Sequence, residues 1–214
     1  MTFLINRTLL LVAISFLIAI PVTAQMPVHE EPYHQPVWQN EVFRLLEVFV
    51  PPGDTTAFHR HEHPICYIVL KGSKLFLQQP TQNGRTVTLP TGYAGTQGGS
   101  IDTPFIHRFA NVGTQEVQIY ALERLIPGTK PTADSANLVF QQRGFTLYKF
   151  SVQPKSTIDV PYGMLIVAGP PGNVFIKQQR RRKRLKRVWF PVNPQNGPAQ
   201  LVSKKKSAVV YVIR

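Results

Sequence analysis

The sequence predicts an all-β protein. Apolar runs of four to nine residues, rich in Val, Ile, Phe and Tyr, alternate along the chain with Pro, Gly and Asn turn signals. No stretch of about twelve residues keeps a helical periodicity. In the first part of the chain these runs predict six strands, at 42–50, 66–70, 74–78, 86–89, 106–110 and 117–122.

Residues 1–24 predict a secretory signal peptide. Arg7 precedes an apolar run that ends at Ile20, Pro21 follows, and Val22-Thr23-Ala24 offers a small-residue cleavage site. The apolar run is shorter than the ~20 residues that a membrane-spanning helix needs, which disfavours an uncleaved anchor. We therefore expect a secreted or periplasmic protein with no transmembrane segment in the mature chain.

Residues 25–39 predict a leader that contains Pro and His, and the remainder divides into two similar halves. FRLLEVFVPPG, from Phe43, is matched by FTLYKFSVQPK, from Phe145. Two further matches follow in the same order, YIVLKGSKLFLQQ with MLIVAGPPGNVFIKQQ and VQIYALER with VVYVIR. The shared order favours duplication over chance similarity between strands. We expect one domain over 40–126 and a second over 127–214.

The net charge of +13 is concentrated in two short stretches. Eight Lys and Arg lie within 177–187, where there is no acid, and 204–206 adds three Lys. Aligned on the first half, the longer run falls at a turn and predicts an exposed hairpin tip. Such runs are usually solvated loops. Here the positive electrostatic potential of eight basic residues without an acid also predicts attraction to acidic polysaccharide or lipid head groups. We expect no specific nucleic acid as a partner. The residues predicted to make that contact are Lys177, Arg180, Arg181, Arg182, Lys183, Arg184, Lys186 and Arg187.

Three of the six histidines occupy alternate positions in GDTTAFHRHEHPICYIVLKG, which runs from residue 53 to 72. On a β-strand His59, His61 and His63 would share one face. Pro64 predicts an interruption of the strand directly after His63. The single Cys66 excludes an intrachain disulfide, and its apolar neighbours predict a small buried side chain.

This stretch resembles the first motif of the cupin superfamily, G-x5-H-x-H-x3-E-x6-G, and PFIHRFAN, from residue 104 to 111, resembles the second. With its histidine-free second half, the chain resembles a secreted bicupin with two tandem double-stranded β-helix (jelly-roll) barrels, the second degenerate. In metal-binding cupins the motif histidines line the barrel. The resemblance therefore implies His59, His61 and His107 as ligands of a divalent transition metal (Fe, Zn, Cu or Ni), with His63 as an extra candidate.

The sequence departs from the cupin pattern in both motifs, and in the second motif Asp102 occupies the usual proline position. The family glutamate falls on Ile65, which removes one ligand and its compensating negative charge, and Pro104 stands where the family usually has Gly. One interpretation is a three-histidine centre that binds a metal and a small molecule, either as a dioxygenase-like or isomerase-like enzyme or as a binding protein. A second is a vestigial site whose histidines only hydrogen-bond. A third is a non-catalytic interaction protein that binds acidic polymers, and a homodimer is compatible with all three.

Overall fold

The computed structural model describes residues 25–127, 136–169, 172–179 and 181–214. The described part contains strands and two short 3-10 helices, Val28–Glu30 and Pro194–Asn196, but no α-helix, which confirms the predicted fold class. The strands are β1 (Met26–Pro27), β2 (His34–Gln39), β3 (Phe43–Val50), β4 (His59–His61), β5 (Ile65–Lys71), β6 (Lys74–Gln78), β7 (Arg85–Thr88), β8 (Ala94–Gln97), β9 (Phe105–Asn111), β10 (Val117–Arg124), β11 (Leu138–Gln142), β12 (Phe145–Val152), β13 (Thr157–Val160), β14 (Gly163–Ala168), β15 (Val174–Gln178), β16 (Arg181–Arg184), β17 (Trp189–Val192), β18 (Ala199–Ser203) and β19 (Ala208–Ile213). The predicted signal peptide, 1–24, lies outside the described residues.

The first half forms two five-stranded sheets. Sheet I has the order β1-β4-β9-β6-β7, and sheet II has the order β2-β3-β10-β5-β8. Apolar side chains from both sheets, among them Val48, Leu75 and Phe109, meet in one buried cluster. All six strands predicted in this half are confirmed, with ends that differ by at most two residues. β8 was not predicted, because its sequence AGTQ carries neither alternation nor β-branched residues apart from one Thr.

The segment predicted to be a leader contributes a strand to each of these sheets. β1 pairs in parallel with β4, with Met26 opposite His59. β2 pairs antiparallel with β3. The structure therefore places 26–39 in the first barrel rather than ahead of it. This pairing satisfies backbone groups that β3 and β4 would otherwise leave free at a sheet edge.

The second half repeats this arrangement. Sheet III has the order β11-β12-β19-β14-β17, and sheet IV has the order β13-β18-β15-β16. The strand order of sheet III matches that of sheet II. The strand order of sheet IV matches that of sheet I, except that sheet IV has no counterpart of β1. The three pairs of similar sequence segments occupy equivalent strands, β3 with β12, β5–β6 with β14–β15, and β10 with β19. The topology thus supports duplication.

The two halves share a buried core between sheets II and III. Leu45, Ile68 and Leu122 from the first half pack in one cluster with Leu147 and Ile166 from the second. Cys66 is fully buried in the same cluster, and burial raises the pKa of its thiol. The cysteine therefore faces away from the interior of the first barrel and acts as a small apolar side chain.

The basic run forms a strand where the sequence analysis placed a hairpin tip. Arg181–Arg184 make up β16, the edge strand of sheet IV, which pairs only with β15. All four side chains are exposed, while Leu185, directly after them, is buried. An edge strand leaves its outer side open to solvent, which relieves the repulsion between like charges. Arg180 lies outside the described residues.

Candidate metal centre

Three histidines meet on the inner face of sheet I. His59 and His61 lie two residues apart on β4, so the pleat turns both side chains to the same side. β9 runs antiparallel beside β4 and places His107 directly opposite His59. The Nε2 atom of His107 lies 3.0 Å from Nε2 of His59 and 3.0 Å from Nε2 of His61. The structure therefore brings together the three histidines that the cupin resemblance implies.

The positions of the three Nε2 atoms and the hydrogen bond of His59 fit a bound metal ion, whereas Nδ1 of His61 is buried without a partner among the described residues. Nδ1 of His59 lies 3.0 Å from the carbonyl oxygen of Ala57, so Nδ1–H donates there and Nε2 presents a lone pair. A neutral His107 has at most one hydrogen to give at Nε2, yet this atom has two nitrogen neighbours. Imidazole nitrogens that each lie about 2.0–2.1 Å from Zn²⁺ can be 3.0 Å apart. A divalent ion would satisfy all three lone pairs, and imidazole suits Zn, Cu, Fe and Ni.

Burial keeps these histidines in the neutral form that binds metal. Burial, and then the nearby His34, lower the pKa of His59 to about 4. Burial and the other imidazoles also hold the pKa values of His61 and His107 well below the usual range. At neutral pH all three rings are uncharged, so metal binding does not require them to lose a proton first.

A buried carboxylate lies behind the cluster, and the sequence analysis missed it. Glu31 accepts hydrogen bonds from the backbone N–H of Ala57 at 3.1 Å and of Tyr33 at 3.0 Å. Its Oε2 also lies 2.5 Å from Nδ1 of His34, whose ring centroid is 4.4 Å from that of His59. Burial alone would raise the pKa of Glu31, but the hydrogen bond from His34 and the two amide donors hold this pKa below its usual value. An ionised carboxylate thus lies next to His59, and Glu31, His34 and His59 each place one donor atom within 4.8 Å of the other two.

The other residues considered in the sequence lie outside the cluster. His63 is in the loop after β4, which ends at His61, so the alternation that predicted a shared face does not extend to it. In the described residues the groups able to hold a metal are His59, His61, His107 and the overlapping Glu31, His34, His59. Ile65, at the family glutamate position, is buried and supplies an apolar side chain to the cavity wall.

A cavity of about 320 Å³ opens beside the histidines, between sheets I and II. His34, His61 and His107 line one part of its wall. Apolar side chains, including Leu75 and Ile119, line another part. Towards the β6–β7 connection the lining becomes polar and comprises Gln78, Gln79, Gln82, Asn83 and Arg85. The cavity can hold a small organic molecule against the nitrogen cluster.

The equivalent interior of the second half is filled with apolar side chains. β13 corresponds to β4, and its Ile158 and Val160 pack in the apolar core of that half. β18 corresponds to β9 and adds Leu201. The site therefore belongs to one of two related barrels.

No protein-family model and no curated protein matches the sequence. Among solved structures, AerE from Microcystis aeruginosa is 13% identical and aligns over 86% of this chain and 97% of its own, with a TM-score of 0.56. Salicylate 1,2-dioxygenase from Pseudaminobacter salicylatoxidans is 10% identical over 81% of this chain and 70% of its own, with a TM-score of 0.55. A cupin domain from Bordetella pertussis is 22% identical over 47% of this chain and 96% of its own, with a TM-score of 0.39. At these identities the two similarities with TM-scores above 0.5 show the fold and not the reaction.

Proposed function

We propose that this chain, which has the double-stranded β-helix fold of the cupin superfamily, binds one divalent transition metal and a small organic molecule in its first barrel. The observation that carries the proposal is the convergence of the Nε2 atoms of His59, His61 and His107 beside a cavity. The metal, Fe, Zn, Cu or Ni, would supply a Lewis-acid or redox centre there. With three protein ligands, coordination positions remain open to water or to the molecule in the cavity.

The cavity lining favours a molecule with an apolar body and a polar end. Leu75, Val87 and Ile119 would contact the body, while Arg85 and the neighbouring amides would meet the polar end. A dioxygenase-like or isomerase-like reaction is one use of such a site, and binding without catalysis is the other. The structural similarity to a salicylate dioxygenase is compatible with the first use, and turnover of candidate aromatic acids by the iron-loaded protein would support it.

We also infer export. The basis is the signal-peptide pattern of residues 1–24. In the described residues no helix is both long and apolar enough to cross a membrane. Amino-terminal sequencing of the protein recovered from the periplasm or the culture medium tests this, and we expect the mature chain to begin at Gln25.

Metal binding is tested by elemental analysis of the purified protein and by titration with Zn²⁺, Fe²⁺, Cu²⁺ and Ni²⁺. We expect about one ion per chain, and we expect His61→Ala or His107→Ala to weaken binding at least 100-fold, because each removes one of three ligands. His63→Ala is the matched control, since it removes an imidazole two residues from His61 but outside the cluster. If the wild-type protein binds none of the four ions, the site is vestigial. If His61→Ala, His107→Ala and His63→Ala all lose metal affinity equally, the metal binds elsewhere.

A second candidate function is binding of an acidic polymer by β16. The observation that favours it is that Arg182 and Lys204 lie over the same ring, with their charged groups 4.6 and 4.7 Å from the centroid of Phe175. The two basic stretches of the sequence are therefore adjacent in space. Acidic polysaccharide or lipid head groups fit this surface, and retention on heparin measures it.

A further inference from the structure

A second cavity, of about 680 Å³, lies where the two halves meet. It is separate from the cavity beside the histidines and shares no lining residue with it. Strands of both halves form its walls. Its main apolar and aromatic lining comprises Trp38, Phe43, Leu122, Met164, Val192 and Ile213. The volume is in the range of sites that bind small molecules.

Two arginines line this cavity with buried hydrogen-bond donors that are not used. Arg124 donates from Nη2 to the carbonyl oxygen of Gly144 at 2.7 Å, and Arg214 donates from Nη2 to the hydroxyl of Tyr162. In both side chains the Nε–H is buried and has no partner among the described residues. Each guanidinium is therefore held at the cavity wall by one hydrogen bond from Nη2.

The charge of these arginines is also not balanced. In the part of the chain that the structure describes, neither guanidinium forms an ion pair with a carboxylate. Arg124 lies over the Phe43 ring at 4.6 Å and Arg214 lies over the Tyr162 ring at 4.1 Å. Among the described residues that line the cavity there is no Asp or Glu side chain. The cavity therefore combines two cationic side chains with aromatic surface.

We propose that this cavity binds an aromatic carboxylate. The carboxylate pairs with the guanidinium groups of Arg124 and Arg214. The ring packs against Trp38 and Phe43. A neutral aromatic molecule of the same shape would bury the same apolar area but leave both positive charges without a partner. The site thus selects for the acid and does not depend on the metal centre.

The wild-type test compares 2-naphthoate with 2-naphthylmethanol, which has the same rings and no charge. Trp38 lines the cavity and Trp189, the only other tryptophan, does not, so Trp189→Phe leaves a single reporter. We expect 2-naphthoate to quench Trp38 and to bind at least ten-fold more tightly than the alcohol by calorimetry. Equal affinities, or no binding of either compound at millimolar concentration, would overturn the proposal without any arginine variant.

Substitutions then locate the charge that is recognised. Arg124→Gln and Arg214→Gln should each weaken 2-naphthoate binding at least ten-fold and leave the alcohol unchanged. Arg182→Gln, which removes an exposed charge of the same sign, and His61→Ala, which alters the other cavity, should bind like wild type. Full 2-naphthoate affinity in both cavity variants, or its loss with His61→Ala, would contradict the assignment.

Discussion

The most informative single residue is Glu31. A divalent ion bound by three neutral imidazoles brings two positive charges into a buried site, and the cupin position that would usually neutralise part of that charge is Ile65. Glu31 supplies a negative charge behind His59, outside the group of three imidazoles. It also anchors the N–H of Ala57, whose carbonyl oxygen fixes the ring of His59. We infer that Glu31 takes over part of the role of the missing glutamate.

This role predicts that Glu31→Gln weakens metal binding. Groups outside the ligand shell that orient a ligand or raise its basicity typically change affinity by about 10–100-fold, and we expect Zn²⁺ affinity to fall roughly ten-fold. Competition with a chromophoric chelator measures the affinity, on protein shown to be folded by circular dichroism. The matched control is Glu30→Gln, since Glu30 carries the same charge next to Glu31 but is exposed. Identical affinities in the two variants would leave Glu31 a purely structural role.

The sequence predicted the histidine cluster but not the residues that support it, for a physical reason. His59 and His61 are two residues apart, and strand alternation alone predicts that they share a face. His107 follows from the family motif. Glu31 and His34 reach the site because β1 pairs in parallel with β4 and the chain then passes beside His59, a long-range contact that leaves no local periodicity. The presence of Glu31 and His34 in the predicted leader was the only indication in the sequence that this segment could support the site.

At the scale of elements, β16 shows how a strand edge can present charge. Arg181–Arg184 lie in one short edge strand, and the exposed Lys186 and Arg187 follow after the buried Leu185. Residues 127–214 contain 16 Lys and Arg against two Asp, so no acidic surface in this half offsets the strand. Repeated positive charge along an edge also discourages pairing with another chain. The sequence predicted exposure of the run but placed it at a turn, because like charges alone do not distinguish an edge strand from a loop.

We therefore predict that heparin binding depends on β16. Replacing its four residues, Arg181–Arg184, with Ser should remove most retention on a heparin column, because the polymer exchanges its counterions for these charges, and wild-type binding should fall steeply with salt. The control replaces Lys71, Lys74, Lys149 and Lys155, which are exposed elsewhere, and so makes the same change in net charge. Equal elution of the two variants would make retention a property of net charge alone, and early elution of wild type itself would reduce the strand to a solubilising edge.

The whole molecule is held together by the core between sheets II and III. Eleven fully or almost fully buried residues from both halves form this cluster, so separation of the halves would expose the packed outer faces of sheets II and III to water. The hydroxyl of Tyr211 also donates across the junction to the carbonyl oxygen of Gly92 at 3.0 Å. With no disulfide available to the single cysteine, this apolar surface is the main link between the half that carries the histidine cluster and its histidine-free counterpart.

This arrangement predicts that the two halves unfold together. Ile166→Ala removes apolar atoms from the shared core, while Leu201→Ala removes them from the separate core of the second half, and both side chains are fully buried. Each change should destabilise the protein by about 2–5 kcal/mol. If the shared core couples the halves, calorimetry will show one transition that both variants lower, and metal will be released from the first barrel at that same temperature. Two transitions, with Leu201→Ala lowering only the one that does not release metal, would instead mean that the second half folds independently and that the shared core does not couple its stability to the metal centre.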